Sequence, residues 1–445
     1  MKKQWLFLFI MVQILMLIHP KGIEAKNKLQ DMIDQAQAGS VIKLESRTYN
    51  GNIVINKPIQ LIGTNKTIIK GDGTGNVIAV RSPNVVLRNF TVKNSSMDRN
   101  SAEEYAGIKV HTNGNKLENI TIEDSYHGVY LSQAHENTIS NIHITGNGKN
   151  EIASQGNGIH VYYSNHNKLT KNVIEATRDG MFFDYSDGNT INGNTIRHTR
   201  YGLHYMYSNQ NEFKNNIFTL NTGGAAIMNS NSILLSNNQF IFNYGHRSFG
   251  LLLLSANDIT VTDNLFFLNQ RGLYIDQSTN NNINQNHIIK NQIGIELWAS
   301  SNGQIFSENM IDENTIPAVT LGGEGKNTWH DNKTGNDWGR SFPLVDLDQN
   351  KIGDAPVSYQ SSLHKLIEEQ ELTYLFLKSP AIHGYEKMNQ LLDKEKLMFS
   401  DPYPMVGEGS AIPWGYVVAG LVIFVISLKG RHLLCITFGR NGRKI

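Results

Sequence analysis

The chain has 445 residues, a formal net charge of +1 and only 18% charged residues, which leaves no basic footprint for nucleic acid. Its single cysteine, Cys435, excludes a disulfide framework and any Cys-based zinc or iron–sulfur site. The length admits two or three ordinary domains, or one elongated repeat with appendages.

Residues 1–25 carry the parts of a secretory signal. Lys2 and Lys3 precede an apolar run from Trp5 to Ile18, and Ile23-Glu24-Ala25 ends in a small residue suited to cleavage. Export is expected whether or not the segment is removed. Residues 26–93 read as an N-terminal cap and irregular early coils. Within them Leu29–Ala38 has helical spacing and suits the closure of a solenoid end, which would otherwise expose apolar core and unpaired strand edges.

Residues 94–335 repeat. Nine segments start at Gly107, Gly128, Gly158, Gly180, Gly202, Gly224, Gly250, Gly272 and Gly294, at intervals of 21, 30, 22, 22, 22, 26, 22 and 22. After each Gly the first and third residues are apolar, as in Ile159/Val161, Leu203/Tyr205 and Leu273/Ile275. A period near 22 with strand alternation is a β-solenoid, because one coil cannot bury its own apolar face. The predicted fold is therefore all-β, a right-handed parallel β-helix. Fourteen residues after the Gly stand Asn172, Asn194, Asn216, Asn238, Asn264 and Asn286. Stacked amides at a turn satisfy one another, so this column is assigned a structural role. The long intervals place extra residues around Gly146–Gln155 and Tyr244–Phe249, and Asn94–Ala106 precedes the first Gly. All three are expected at one corner of the solenoid, a common place for a binding edge.

Beyond the repeat, Val319–Trp329 reads as a last coil, 336–362 as an acidic loop, and 363–410 as a helical segment leading to a membrane. Ala411–Leu428 carries no charge, is long enough to span a bilayer, and has Trp414 and Tyr416 where an aromatic belt would lie. Lys429, Arg431, Arg440, Arg443 and Lys444 follow, placing the tail 429–445 in the cytoplasm and the solenoid outside. The expected localisation is the outer face of the cytoplasmic membrane, anchored by this one C-terminal transmembrane helix.

The capped start, the 22-residue Gly/Asn repeat, the segment Gly202-Leu203-His204-Tyr205-Met206-Tyr207-Ser208 and Lys378-Ser379-Pro380-Ala381 together resemble one family. It is the periplasmic copper-binding right-handed β-helix family of nitrous oxide reductase maturation proteins, within the wider carbohydrate-binding and sugar-hydrolase-like β-helices. The resemblance covers about residues 26–405. It implies a non-enzymatic accessory protein partnered by the ATPase and membrane subunit of an ABC transporter and by a copper chaperone lipoprotein. The cargo it implies is copper, or a sulfur species, for the copper sites of nitrous oxide reductase. The C-terminal anchor departs from the pattern and suits a cell that must retain the protein without an outer membrane. No Walker A motif is present, so ATP hydrolysis is expected in a partner.

Strict alternation turns the second and fourth residues after each Gly to solvent. The resulting pairs include Lys109/His111, Tyr130/Ser132, His160/Tyr162, Phe182/Asp184, His204/Met206, Ala226/Met228, Leu252/Leu254, Tyr274/Asp276 and Glu296/Trp298. Met206 and Met228 become vertical neighbours with His204 beside Met206, a soft and borderline donor set suited to Cu(I). His246 or Met97 from the adjoining loops would complete it. A greasy docking patch for a partner protein fits the same residues, and both readings stay open. His160 is two coils from His204, too far to share an ion, and His127, His135, His143 and His166 are expected to be solvated near turns. Polysaccharide binding or modification is the alternative function. Against lyase or epimerase chemistry, the outward acids Asp184 and Asp276 lie four coils, about 19 Å, apart. Asp346, Asp348, Asn350 and Asp354 resemble a calcium loop that lacks the bidentate Glu, with a metal-free acidic turn as the alternative.

Overall fold

The computed structural model describes residues 27–147 and 151–407. The signal segment 1–25, the apolar run 411–428 and the basic tail lie outside the described residues. Among the described residues no helix is long and apolar enough to cross a membrane.

Each regular coil contributes one strand, running on from its Gly, to a 12-stranded parallel sheet, and two three-residue strands to a 22-stranded sheet. The result is a right-handed-type β-solenoid. Register is strict: Ile159 pairs with Met181, Met181 with Leu203, Leu203 with Ala225, and Ala225 with Leu251. These residues are fully buried, as the sequence pattern requires. Vertical stacking extends to the rings, with Phe218, Phe240 and Phe266 at centroid spacings of 5.2 and 4.9 Å.

The asparagine column forms as expected. From Asn172 through Asn286, each Nδ2 donates to the Oδ1 of the next coil's Asn at 2.9–3.0 Å. The same oxygens accept the backbone N–H of the Asn before, so donors and acceptors of a buried turn are used up. Parallel ladders that the sequence pattern did not isolate run through Asn115, Asn137 and Asn167, and through Asn243, Asn269 and Asn291.

Both ends are closed. The helix Lys28–Gln35 starts at the N-cap Asn27, whose side chain accepts from Gln30 N, and buries Leu29 and Ile33 against the first coils. At the far end the segment after 336 folds back onto the last coil. It contains helices, Leu363–Glu369 and Pro380–Leu391, the second begun by the Ser379-Pro380 pair. The strand Lys396–Asp401 brings Phe399 onto Trp338 at 4.0 Å, and Thr320 donates to the Met398 carbonyl at 3.0 Å. Asp401, fully buried, ends the main amide ladder. Its Oδ2 accepts from Asn336 N at 2.8 Å and Trp338 Nε1 at 2.9 Å. The apolar cross-section of the last coil dictates this return, since a bare end would leave Trp329 and Trp338 in water.

Candidate functional site on the outer face of the twelve-stranded sheet

Alternation breaks at each repeat glycine. A Cβ at Gly128 would lie 2.5 Å from the Gly158 carbonyl oxygen and 2.7 Å from Ile144 Cγ2, so this position faces inward, as does the apolar residue after it. Two successive inward positions turn the residue before the glycine outward. His127, Asp179 and Arg271 thereby join the same face as Tyr130, His160, His204 and Glu296. A strict period of two hides that column.

The face is not the open surface that alternation suggested. Lys109, Tyr130, His160, Ala226, Leu252 and Glu296 are all buried, which corrects their placement in solvent. The covering elements are the insertion before Gly107, whose Glu103 carbonyl accepts from Lys109 Nζ, and the C-terminal segment, whose Tyr374 hydroxyl bonds Glu296 Oε2 at 2.6 Å. The insertions 94–106 and 244–249 fall at the same place in their coils, between a strand of the 22-stranded sheet and the strand that carries the Gly.

Three polar centres and one apolar patch lie along this face. In the first, Glu104 Oε2 meets His127 Nε2 at 2.6 Å, and His160 packs against the His127 ring at 5.3 Å. One ligand atom from each of these three residues lies within 4.8 Å of the others, the one such His/Cys/Asp/Glu group among the described residues. His127 is buried, not solvated as its position near a turn suggested, because Glu104 and Asn157 close over it. The hydrogen bond from His127 holds the Glu104 carboxyl below its ordinary value, while burial pushes His160 well below the imidazole range. In the second centre Asp179, nearly inaccessible, accepts from Arg200 Nη2 at 2.5 Å and faces His204 Nδ1 at 3.1 Å. Burial raises its pKa, but the hydrogen bonds from His204 and Arg200 reverse that and leave it lowered. In the third, Arg271 joins Glu296 at 2.7 Å and Tyr374 at 2.6 Å, fastening the C-terminal segment to the sheet.

Met206 pairs in register with Met228, and Met228 with Leu254, as alternation predicted. His204 stacks on Phe182 at 4.5 Å, and the Asp179 carboxylate orients its Nδ1, leaving Nε2 as the ring nitrogen for a ligand. Both methionines are half-buried, and Met228 packs with Ala226, Phe249 and Leu252 in a small apolar cluster. The residues present thus fit a soft ion and a docking patch alike. The two proposed loop ligands do not join them. His246 precedes the start of the strand Phe249–Leu254, whereas Met228 pairs with Leu254 at its other end, about 17 Å of strand away. Met97, half-exposed, belongs to the insertion over the Gly107 and Gly128 coils, about 14 Å or more from the Met206 coil.

The acidic loop closes on itself. Asp346 accepts from the amides of Asn350 and Lys351, Asp348 from Asn350 N and Nδ2, and Asp354 from Leu347 N. These oxygens act as turn-forming acceptors. Elsewhere on the surface Tyr163, Tyr185 and Tyr207 stack at 4.8 and 4.9 Å. Only Tyr185 has both of its faces spent within this stack.

Comparison with known proteins bears out the resemblance seen in the sequence. Residues 141–341, just under half of the chain, match the family described as periplasmic copper-binding protein (NosD). No curated protein matches. Among solved structures, the A-module of the Azotobacter vinelandii mannuronan C-5 epimerase AlgE6 is 13% identical, with a TM-score of 0.50 over 68% of this chain and 92% of its own. A family 28 exopolygalacturonase from Yersinia enterocolitica is 11% identical, with a TM-score of 0.50 over 67% of this chain and 74% of its own. At such identities the likeness is one of fold.

Proposed function

We propose that this chain is an extracytoplasmic accessory protein that accepts Cu(I) on the outer face of its twelve-stranded sheet and hands it on for the assembly of the copper sites of nitrous oxide reductase. The observation that carries this reading is the register pairing of Met206 with Met228 beside a histidine whose Nδ1 is already held by a buried carboxylate, inside the segment that matches the copper-binding family. Neutral thioethers and an imidazole suit a monovalent soft ion. A half-buried, low-charge donor row also releases its ion to a competing site, as a carrier must. The reading includes an ABC transporter whose ATPase supplies energy, a copper chaperone lipoprotein as donor, and tethering by the apolar run 411–428. A sulfur species in place of copper is the variant cargo.

The apolar cluster beside the row fits docking of a donor or acceptor protein at the place of transfer. Exposed Leu372, Leu375 and Phe376, on the segment fastened by Tyr374, offer a second contact of the same kind for the membrane subunit. In cells lacking this chain, nitrous oxide reductase should accumulate without its copper. The wild-type sequence should restore the metal, and Met206→Leu/Met228→Leu, which keeps side-chain volume, should not. Full copper loading with the double variant would remove the methionine row from the function.

A further inference from the structure

We infer that Glu104, His127 and His160 form a second metal site, selective for a divalent transition ion of the zinc or copper(II) class and separate from the Cu(I) row. His160 is more than nine-tenths buried, yet its Nε2 has no hydrogen-bond partner. An unpaired buried polar atom costs about 1–3 kcal/mol, so this nitrogen marks a place built for a ligand.

The protonation pattern prepares the site. The backbone N–H of Asn157 donates to His127 Nδ1 at 2.9 Å, which puts the ring proton on Nε2, against the Glu104 carboxylate at 2.6 Å. A cation entering between these two atoms displaces that one proton, and the backbone donor keeps the ring aimed. His160 Nδ1 lies 3.5 Å from the Asn157 side-chain amide. With that amide turned so that Oδ1 accepts from Nδ1–H, the Nε2 lone pair of His160 is free for a metal. The ring is clamped between Tyr130 at 4.5 Å and Phe182 at 4.8 Å, so little entropy is lost on binding.

Two imidazoles and one carboxylate without sulfur favour zinc or copper(II) over Cu(I), and they leave a fourth position open on the side of the half-exposed Glu104. The nearby cation Lys109 is engaged by the Glu103 carbonyl and the Tyr130 ring, which limits its opposition to a metal. His204 is two coils away, about 10 Å, so the two sites load separately.

Zinc(II) titrated calorimetrically into the full chain should fill one site per molecule and raise its melting temperature. Cobalt(II) in its place should give the visible bands of a low-coordinate nitrogen–oxygen site. Glu104→Gln keeps the shape and the hydrogen bond to His127, and His160→Phe keeps the stacked column. Each should weaken zinc by about tenfold or more and erase the cobalt bands. Met206→Leu/Met228→Leu should leave zinc and cobalt unchanged even if Cu(I) binding is lost, which separates this inference from the carrier reading. Zinc affinity and cobalt spectrum unaltered in both site variants, or no zinc bound by the wild-type chain, would overturn it.

Discussion

The asparagine ladders and the outer face of the twelve-stranded sheet are made by the same coils and solve opposite problems. In the ladders one residue type recurs, every amide is satisfied by its neighbours above and below, and the stack ends on a buried carboxylate that takes up the last donors. On the outer face no residue recurs for long. Imidazole, carboxylate and ring give way to methionine and leucine, then to an arginine–glutamate–tyrosine lock, and an unpaired polar atom remains at His160. Repetition is how this chain secures stability, since each coil presents the next with the surface it needs. Departure from repetition marks the positions free for chemistry.

The comparison breaks most visibly if the lock is cut. Arg271→Met should lower unfolding free energy by about 3–5 kcal/mol, because it leaves the buried Glu296 carboxylate without its cation and the Tyr374 hydroxyl without one of its two partners. Chemical denaturation measures the loss, and protease should then cleave between 363 and 391 first. Arg271→Met/Glu296→Leu should recover much of the stability. Next in size is a gap in a ladder. Asn216→Ala removes the acceptor of the Asn194 backbone N–H and the side-chain donor to the Ile191 carbonyl and the Asn238 Oδ1, a loss of about 2–3 kcal/mol in the same assay. An outward residue such as His204 should cost less when replaced by Gln, since its ring is not enclosed by a repeating network.

The inward pattern, the period, the cap helix and the main amide column were legible because each is a one-dimensional rule repeated many times. The methionine pairing was legible for the same reason. Glu104, His127, Asp179 and Arg271 were not. Glutamate 104 comes from an insertion that has no counterpart in other coils, and its meeting with His127 spans 23 residues of chain folded over the corner. His127, Asp179 and Arg271 stand just before a glycine, where two inward positions in succession defeat a period of two. The recurring polar or aromatic residue ahead of the glycine was the available signal. His246 and Met97 were grouped with the methionines by corner alone, without counting coils or strand ends.

The smallest expected effect lies on the opposite sheet and sharpens the contrast, because there a charged group serves the repeat. His143 and then Arg197 hold the Glu175 carboxyl down to about 2, against 4.5 for a free glutamate. A depressed carboxylate adds stability above its unfolded pKa and loses it as pH falls. Glu175→Gln should therefore be less stable than wild type at pH 7, by under about 1 kcal/mol for a partly exposed pair. The gap should shrink as pH drops from about 4.5 and be gone near pH 2. Thermal melts of both proteins across that range measure it.

The claim that the outer face carries copper is tested most directly by a Cu(I) competition titration of the full chain against a chromophoric chelator, comparing wild type with Met206→Leu/Met228→Leu. The account predicts binding by wild type and at least a tenfold loss in the variant, about 1.4 kcal/mol, with unchanged thermal stability. Equal Cu(I) affinity in the two proteins would contradict it and leave the methionines as part of a docking surface.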